Sequence, residues 1–122
     1  MEVMEGLVLL YTGKDQKNWF DGFYYGVEEE GVPVYSIDVD EEEDLSLGTA
    51  FEMAEFAAQH SVFDIGLGAD AQEIILRHRQ QKDGEPLLKC TKDDDPQTIR
   101  VLGTNAARMI KRLPLILDSD SL

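Results

Sequence analysis

The 122-residue chain carries 25 acidic against 11 basic side chains, a formal net charge of -14, with 43% hydrophobic residues. That length suits a single domain over residues 1–122, large enough to bury one hydrophobic core. The charge repels phosphate backbones and anionic lipid surfaces, so neither nucleic acid nor membrane is an expected partner. A basic protein or a divalent cation is the natural complement, and plain solubility is the bland alternative.

No apolar run approaches the roughly 20 residues that span a bilayer. The opening Met1–Glu5 is acidic, whereas a secretory signal begins basic, so export is not expected. The one cysteine, Cys90, leaves no internal disulfide and fits a reducing cytosol. It suits a small apolar filler on a strand.

Gly6 to Tyr11 is a short apolar run ending at Thr12-Gly13, and is expected to form a buried strand. A helix is predicted over Lys14 to Glu30, because Phe20, Phe23, Tyr24 and Val27 share one face. Gly31 follows as a left-handed cap. Val32 to Asp38 is a second strand. The acidic stretch Asp38–Asp44 then leads into a second helix, whose stripe is Leu47, Ala50, Phe51, Ala54 and Ala58. Acids there oppose the positive end of the helix dipole. The stretch lacks the glycine and ligand spacing of a calcium loop.

Val62 to Gly68 and Glu73 to Arg79 are the third and fourth strands, with Ile74 and Leu76 on one face and Ile75 and Arg77 on the other. About four residues join them, too few for a parallel crossover, so the fourth strand runs antiparallel to the third. Pro86 to Cys90 is a short fifth strand after the turn at Lys82-Asp83-Gly84. Asp95 is an expected N-cap with Pro96 at the first helical position of the last helix. Its buried stripe is Ile99, Leu102, Ala106, Met109, Ile110 and Leu113. Arg108, Lys111 and Arg112 lie toward its C-terminus, where the dipole favours positive charge. The order βαβαβββα, with helices between the first three strands, predicts a three-layer α/β/α domain with a mixed sheet.

No catalytic constellation is present: no GxSxG elbow, no phosphate loop, no HExxH. Gly66-Leu67-Gly68 lacks the third glycine of a dinucleotide fold and fits a close backbone approach. His78 suits a strand end and His60 a helix end, and no zinc spacing joins them. Glu28-Glu29-Glu30 differs. It sits in the last turn of the first helix, where carboxylates face the negative dipole end at a cost of about 0.3–1 kcal/mol each. A solvated helix end and a site for a divalent cation or basic partner both remain open. Gly103 and Asn105 are poor helix formers inside a strongly periodic helix. Close packing of that helix on the sheet accounts for them, or contact with another subunit.

Four segments together resemble the small subunit of diol or glycerol dehydratase reactivase: Gly26 to Pro33, Ile65 to Gly68, Ile74 to His78, and Leu102 to Arg108. The likeness covers residues 6–115. It implies a fold related to the anticodon-binding domain, with a five-stranded sheet ordered 2-1-3-4-5 and strand 4 antiparallel. It implies a non-catalytic subunit of a chaperone-like reactivating factor. Two such subunits pair with two ATPase large subunits, and the small subunit exchanges with the medium subunit of the adenosylcobalamin-dependent dehydratase so that damaged cobalamin leaves. The resemblance gives Glu29 contact with a metal ion, Mg2+, held mainly by the large subunit. It places partner contacts at Glu28, Glu30, Asn105 and Arg108. This chain alone binds no cofactor in that picture, and adenosylcobalamin belongs to the partner dehydratase. The setting implied is the cytoplasm, compatible with a bacterial microcompartment. The alternatives are the medium subunit of a B12-dependent dehydratase and a flavodoxin-like small-molecule binder. The second would need a phosphate loop where Tyr11-Thr12-Gly13-Lys14 stands.

Overall fold

The computed structural model describes residues 8–12, 18–39, 48–81 and 85–116. Gly6 and Leu7 of the predicted first strand, Lys14–Lys17 of the predicted first helix, residues 40–44 of the acidic Asp38–Asp44 stretch, Leu47, the Lys82–Gly84 turn and the tail from Asp118 lie outside them.

The elements follow the predicted order. They are β1 (Val8–Thr12), a 3-10 turn (Asn18–Phe20), α1 (Asp21–Glu29), β2 (Val34–Asp38), α2 (Ala50–His60), β3 (Ile65–Ala69), β4 (Glu73–His78), β5 (Leu88–Thr91) and α3 (Pro96–Lys111). The sheet is ordered β2-β1-β3-β4-β5. β1 runs parallel to β2 and β3, while β4 is antiparallel to both β3 and β5.

Alternation along the strands builds the three layers. Val8 and Leu10 of β1, Ile65, Leu67 and Ala69 of β3, and Ile74 and Leu76 of β4 face α1 and α3. There they pack on Phe20, Phe23, Val27, Ile99, Leu102 and Ala106. Leu9, Tyr11 and Ile75 point the other way, toward Ala50, Met53, Ala54 and Ala57 of α2. Arg77 shares that second face and is buried, its guanidinium 4.6 Å from the Phe51 ring and donating to the carbonyls of Glu85 and Gln81. The Gly66 and Gly68 positions let α2 lie flat on β3: an added Cβ would come 2.5 Å from Ala57 Cβ or 2.6 Å from Met53 Cβ.

Local chemistry sets the ends. Thr49 caps α2 in a reciprocal box, accepting from Glu52 N–H at 3.1 Å while its own N–H donates to Glu52 Oε1 at 3.2 Å. Asp95 accepts from Gln97 N–H at 3.0 Å, with Pro96 behind it, as predicted. Gly31, at φ 78°, closes α1 as its left-handed cap.

Several boundaries differ from expectation: residues 18–20 form a 3-10 turn before α1 begins at Asp21, β2 begins at Val34 rather than Val32, and three further ends have a local cause. β3 begins at Ile65 rather than Val62, because Ser61 Oγ accepts from Phe63 N–H and Asp64 turns the chain at φ 71°. β5 is shifted to Leu88–Thr91, ended by Asp94 Oδ2 accepting from Thr91 N–H at 2.8 Å. α3 stops at Lys111, not at Leu113. Arg112 turns left-handed (φ 61°), and Leu113 N–H returns to Arg108 O at 2.8 Å, placing Leu113 in an exposed tail before Pro114.

Candidate functional site

The acidic end of α1 is where the predicted residues converge, and its position follows from two glycines. α1 and α3 cross on the same face of the sheet. An added Cβ at Gly26 would sit 2.8 Å from Thr104 N, and one at Gly103 would sit 2.9 Å from the Phe23 carbonyl carbon. Gly103 therefore serves a helix–helix crossing, correcting the expectation that it packs on the sheet. Thr104 Oγ1, buried in the seam, donates to Arg100 O at 3.2 Å and to Gly26 O at 3.5 Å.

This close crossing sets one face of α3 beside the last turn of α1. Residues 100, 104, 108 and 111 recur at helical spacing. Arg100 meets Glu29 through an ion pair and a second contact, Nε to Oε1 at 3.3 Å. Arg108 Nε and Lys111 Nζ both lie 3.3 Å from the Glu30 carboxylate. Lys111 also donates to the Glu30 carbonyl at 2.6 Å, satisfying a C-terminal group of α1. The unfavourable placement of Glu29 and Glu30 against the α1 dipole is thus offset within the chain, by cations from the other helix.

The three glutamates are not equivalent. Glu28 faces solvent. The Glu29 side chain is 52% exposed and shares its charge with one arginine. The Glu30 side chain is only 17% exposed. Burial pushes its carboxyl up, but hydrogen bonds from Lys111 and Arg108, with their charges, together outweigh burial and hold it below the usual carboxylate range. Glu29 is the one carboxylate of the pair still open to another molecule, at the cost of loosening Arg100.

Arg108 is tied to Glu30 and also donates to Pro114 O at 3.2 Å. Asn105 lies elsewhere. It is 5% exposed and faces β5 and the tail, where Nδ2 donates to Ile116 O at 2.8 Å and Oδ1 accepts from Ile116 N–H at 2.7 Å. Its amide clasps the chain's own backbone, so direct contact with a partner requires displacing residues 113–116. Asn105 is not brought together with the glutamates, because it projects from a different side of α3.

The remaining candidates have structural partners. The His60 ring stacks on Phe56 at 4.1 Å and its Nδ1 lies 2.9 Å from Phe56 O. His78 Nδ1 accepts from Gln80 N–H at 3.1 Å. Cys90 is buried, its thiol 3.6 Å from Thr98 O. Among the described residues no three His, Cys, Asp or Glu side chains group to hold a metal ion. No helix among them is long and apolar enough to cross a membrane.

Two contributors escaped the sequence reading. Arg100 carries no signal of its own beyond its spacing with Arg108 and Lys111. Asp70 joins three elements: Oδ2 accepts from Ala50 N–H at 2.9 Å, Oδ1 from Gln72 and Glu73 N–H, and its carbonyl from Trp19 Nε1 at 3.0 Å.

The family model for the dehydratase medium subunit matches residues 7–116. A probable glycerol dehydratase-reactivating factor small subunit of Citrobacter freundii is 33% identical over 111 residues, covering 89% of this chain and 91% of that protein. A propanediol dehydratase-reactivating factor small subunit of the same organism is 29% identical over 108 residues, covering 88% and 87%. Among solved structures, a glycerol dehydratase reactivase chain has a TM-score of 0.75 at 30% identity, over 93% of this chain and 97% of that one. A chain of a diol dehydratase-reactivating factor complexed with ADP and Mg2+ has a TM-score of 0.80 at 22% identity, over 91% and 97%, a likeness of fold. The chain belongs to the dehydratase medium subunit family, and its relatives there are the small subunits of dehydratase-reactivating factors.

Proposed function

We propose that this chain is the non-catalytic small subunit of a reactivating factor for an adenosylcobalamin-dependent diol or glycerol dehydratase. It docks on an ATPase large subunit, two of each forming the factor. It leaves that subunit in exchange for the dehydratase's medium subunit, which the large subunit takes in its place, and damaged cobalamin then escapes. The work is done in the cytoplasm, inside or outside a microcompartment.

The observation that carries this reading is the near full-length match to reactivating-factor small subunits, 33% identical across 91% of one of them. The family model alone does not separate the reading from the dehydratase medium subunit, whose name it bears. The named relatives do, and they favour the reactivating factor.

The α1 end supplies the docking chemistry. Glu29 contributes one carboxylate oxygen to a Mg2+ held mainly by the large subunit, and Glu28 and Arg108 flank it. Its exposure and its single cationic neighbour support that role. Nucleotide exchange changes the affinity for the chain only if the two nucleotide states contact it differently, and Glu29 is the contact assigned that role. The test is a pull-down with the large subunit in ADP and in ATP. Glu29→Gln is expected to keep the fold and weaken nucleotide-sensitive association at least 10-fold. Association that stays equally tight, and equally responsive to nucleotide, would refute the role of Glu29.

A further inference from the structure

Residues 112–116 fold back along the helix they have just left. Arg112 turns left-handed, and Leu113 N–H returns to Arg108 O. Arg108 Nη1 donates to Pro114 O at 3.2 Å, and the Asn105 amide holds both backbone groups of Ile116. Each step along this strap thus meets a residue nearer the start of α3. The bonds are polar, and each contributes little net, because water replaces it when the strap lifts. Apolar burial adds little, since Leu113, Leu115 and Ile116 are 43%, 36% and 37% exposed. A cleft of about 130 Å³ separates Ile116 from Leu88, Val101 and Leu102.

Arg108 is bonded at both ends. Its Nε donates to Glu30 Oε2 at 3.3 Å while Nη1 donates to the strap. A guanidinium is planar and rigid, so a carboxylate that fixes its Nε edge also fixes where Nη1 points. Glu30 therefore aims Arg108 at the strap from 78 positions away, across the α1–α3 crossing. Lys111 also faces Glu30, 3.3 Å from its carboxylate, but its ammonium has no bond to the strap among the described residues. We propose that residues 113–116 are a release strap, latched by Glu30 through Arg108. A partner that takes either side chain for its own contacts loosens the strap and uncovers Asn105 and the cleft beside β5. Two surfaces on different sides of α3 then act in order, the acidic end of α1 first and the Asn105 side second. The use of the latch in docking rests on the function proposed above, whereas the latch itself is a property of this chain alone.

Amide exchange of the isolated full chain, read by NMR, tests the latch. Glu30→Gln bonds no strap residue, and Arg108→Lys keeps the charge but loses the planar fork. Each is expected to speed exchange at the Ile116 amide at least 5-fold, and the double variant no more than either alone. Arg100→Gln removes a cation from the same face of α3 without touching the strap, and is expected to leave Ile116 as it was. Linkage is reciprocal, so Asn105→Ala, which bonds neither Glu30 nor the Arg108 side chain, is expected to speed exchange of the Arg108 Nε–H at least 3-fold. Ile116 exchange unchanged by Glu30→Gln or by Arg108→Lys overturns the inference. Equal acceleration by Arg100→Gln does so too, as does an Arg108 Nε–H indifferent to Asn105→Ala. In the complex with the large subunit, Ile116 is expected to exchange at least 5-fold faster than in the free chain. A complex that forms with Ile116 no faster overturns the use of the latch in docking. If the large subunit binds nothing while the latch responds in the isolated chain, the proposed function fails and the latch stands.

Discussion

Replacing Gly103 by alanine sets two effects against each other. Alanine is the better helix former by about 1 kcal/mol in an exposed helix interior. At this position, however, its Cβ would sit 2.9 Å from the Phe23 carbonyl carbon and nearer still to the oxygen. Both are backbone atoms of α1 and have no rotamer to yield. The helices must part by several tenths of an ångström, along a seam that also packs Phe23, Val27, Leu102 and Ala106. Overpacking of this kind costs about 1–3 kcal/mol, and the rigid neighbour places it in the upper part of that range, so the clash wins by about 1–2 kcal/mol. Urea denaturation of the parent and of Gly103→Ala reads the difference as a lower midpoint at unchanged slope. The parting also moves Glu29 and Glu30 away from Arg100, Arg108 and Lys111. A Gly103→Ala protein as stable as the parent, or more stable, would show that α1 and α3 do not meet here.

Three further outcomes are expected. Because Glu30 titrates below its ordinary value in the fold, its contribution is complete above the unfolded carboxylate pKa of about 4.3 and is lost as pH falls through the lower folded value. Glu30→Gln should therefore flatten the acid limb of the stability–pH curve in that window, as followed by acid titration of the circular dichroism. Asn105→Ala removes both bonds to Ile116, costing about 1–2 kcal/mol, and hydrogen exchange at the Ile116 amide should rise. Arg112→Gly relieves a left-handed non-glycine residue and should raise stability by up to about 1 kcal/mol in thermal melts.

Much of this architecture was written in periodicity. Alternation of two placed Ile74 and Leu76 opposite Ile75 and Arg77, and the short β3–β4 connection required antiparallel pairing. The caps at Asp95 and Gly31 stood on single residue types with one physical reason each. Boundaries were less legible where a local side-chain bond or a left-handed residue decided them. Ser61 and Asp64 delayed β3, and the turn at Arg112 withdrew Leu113 from the α3 stripe.

The candidate site divides the same way. From the sequence alone came the acidic end of α1, its cost against the dipole, and the irregular Gly103 and Asn105 in α3. These are properties of local spacing, which the chain carries before it folds. Only the tertiary structure decided which charges meet. Glu29 and Arg100 are 71 positions apart, and Glu30 and Arg108 are 78 apart, so their pairing depends on how closely two helices cross. Gly26 and Gly103 set that closeness, and the same packing turned Asn105 inward to hold Ile116.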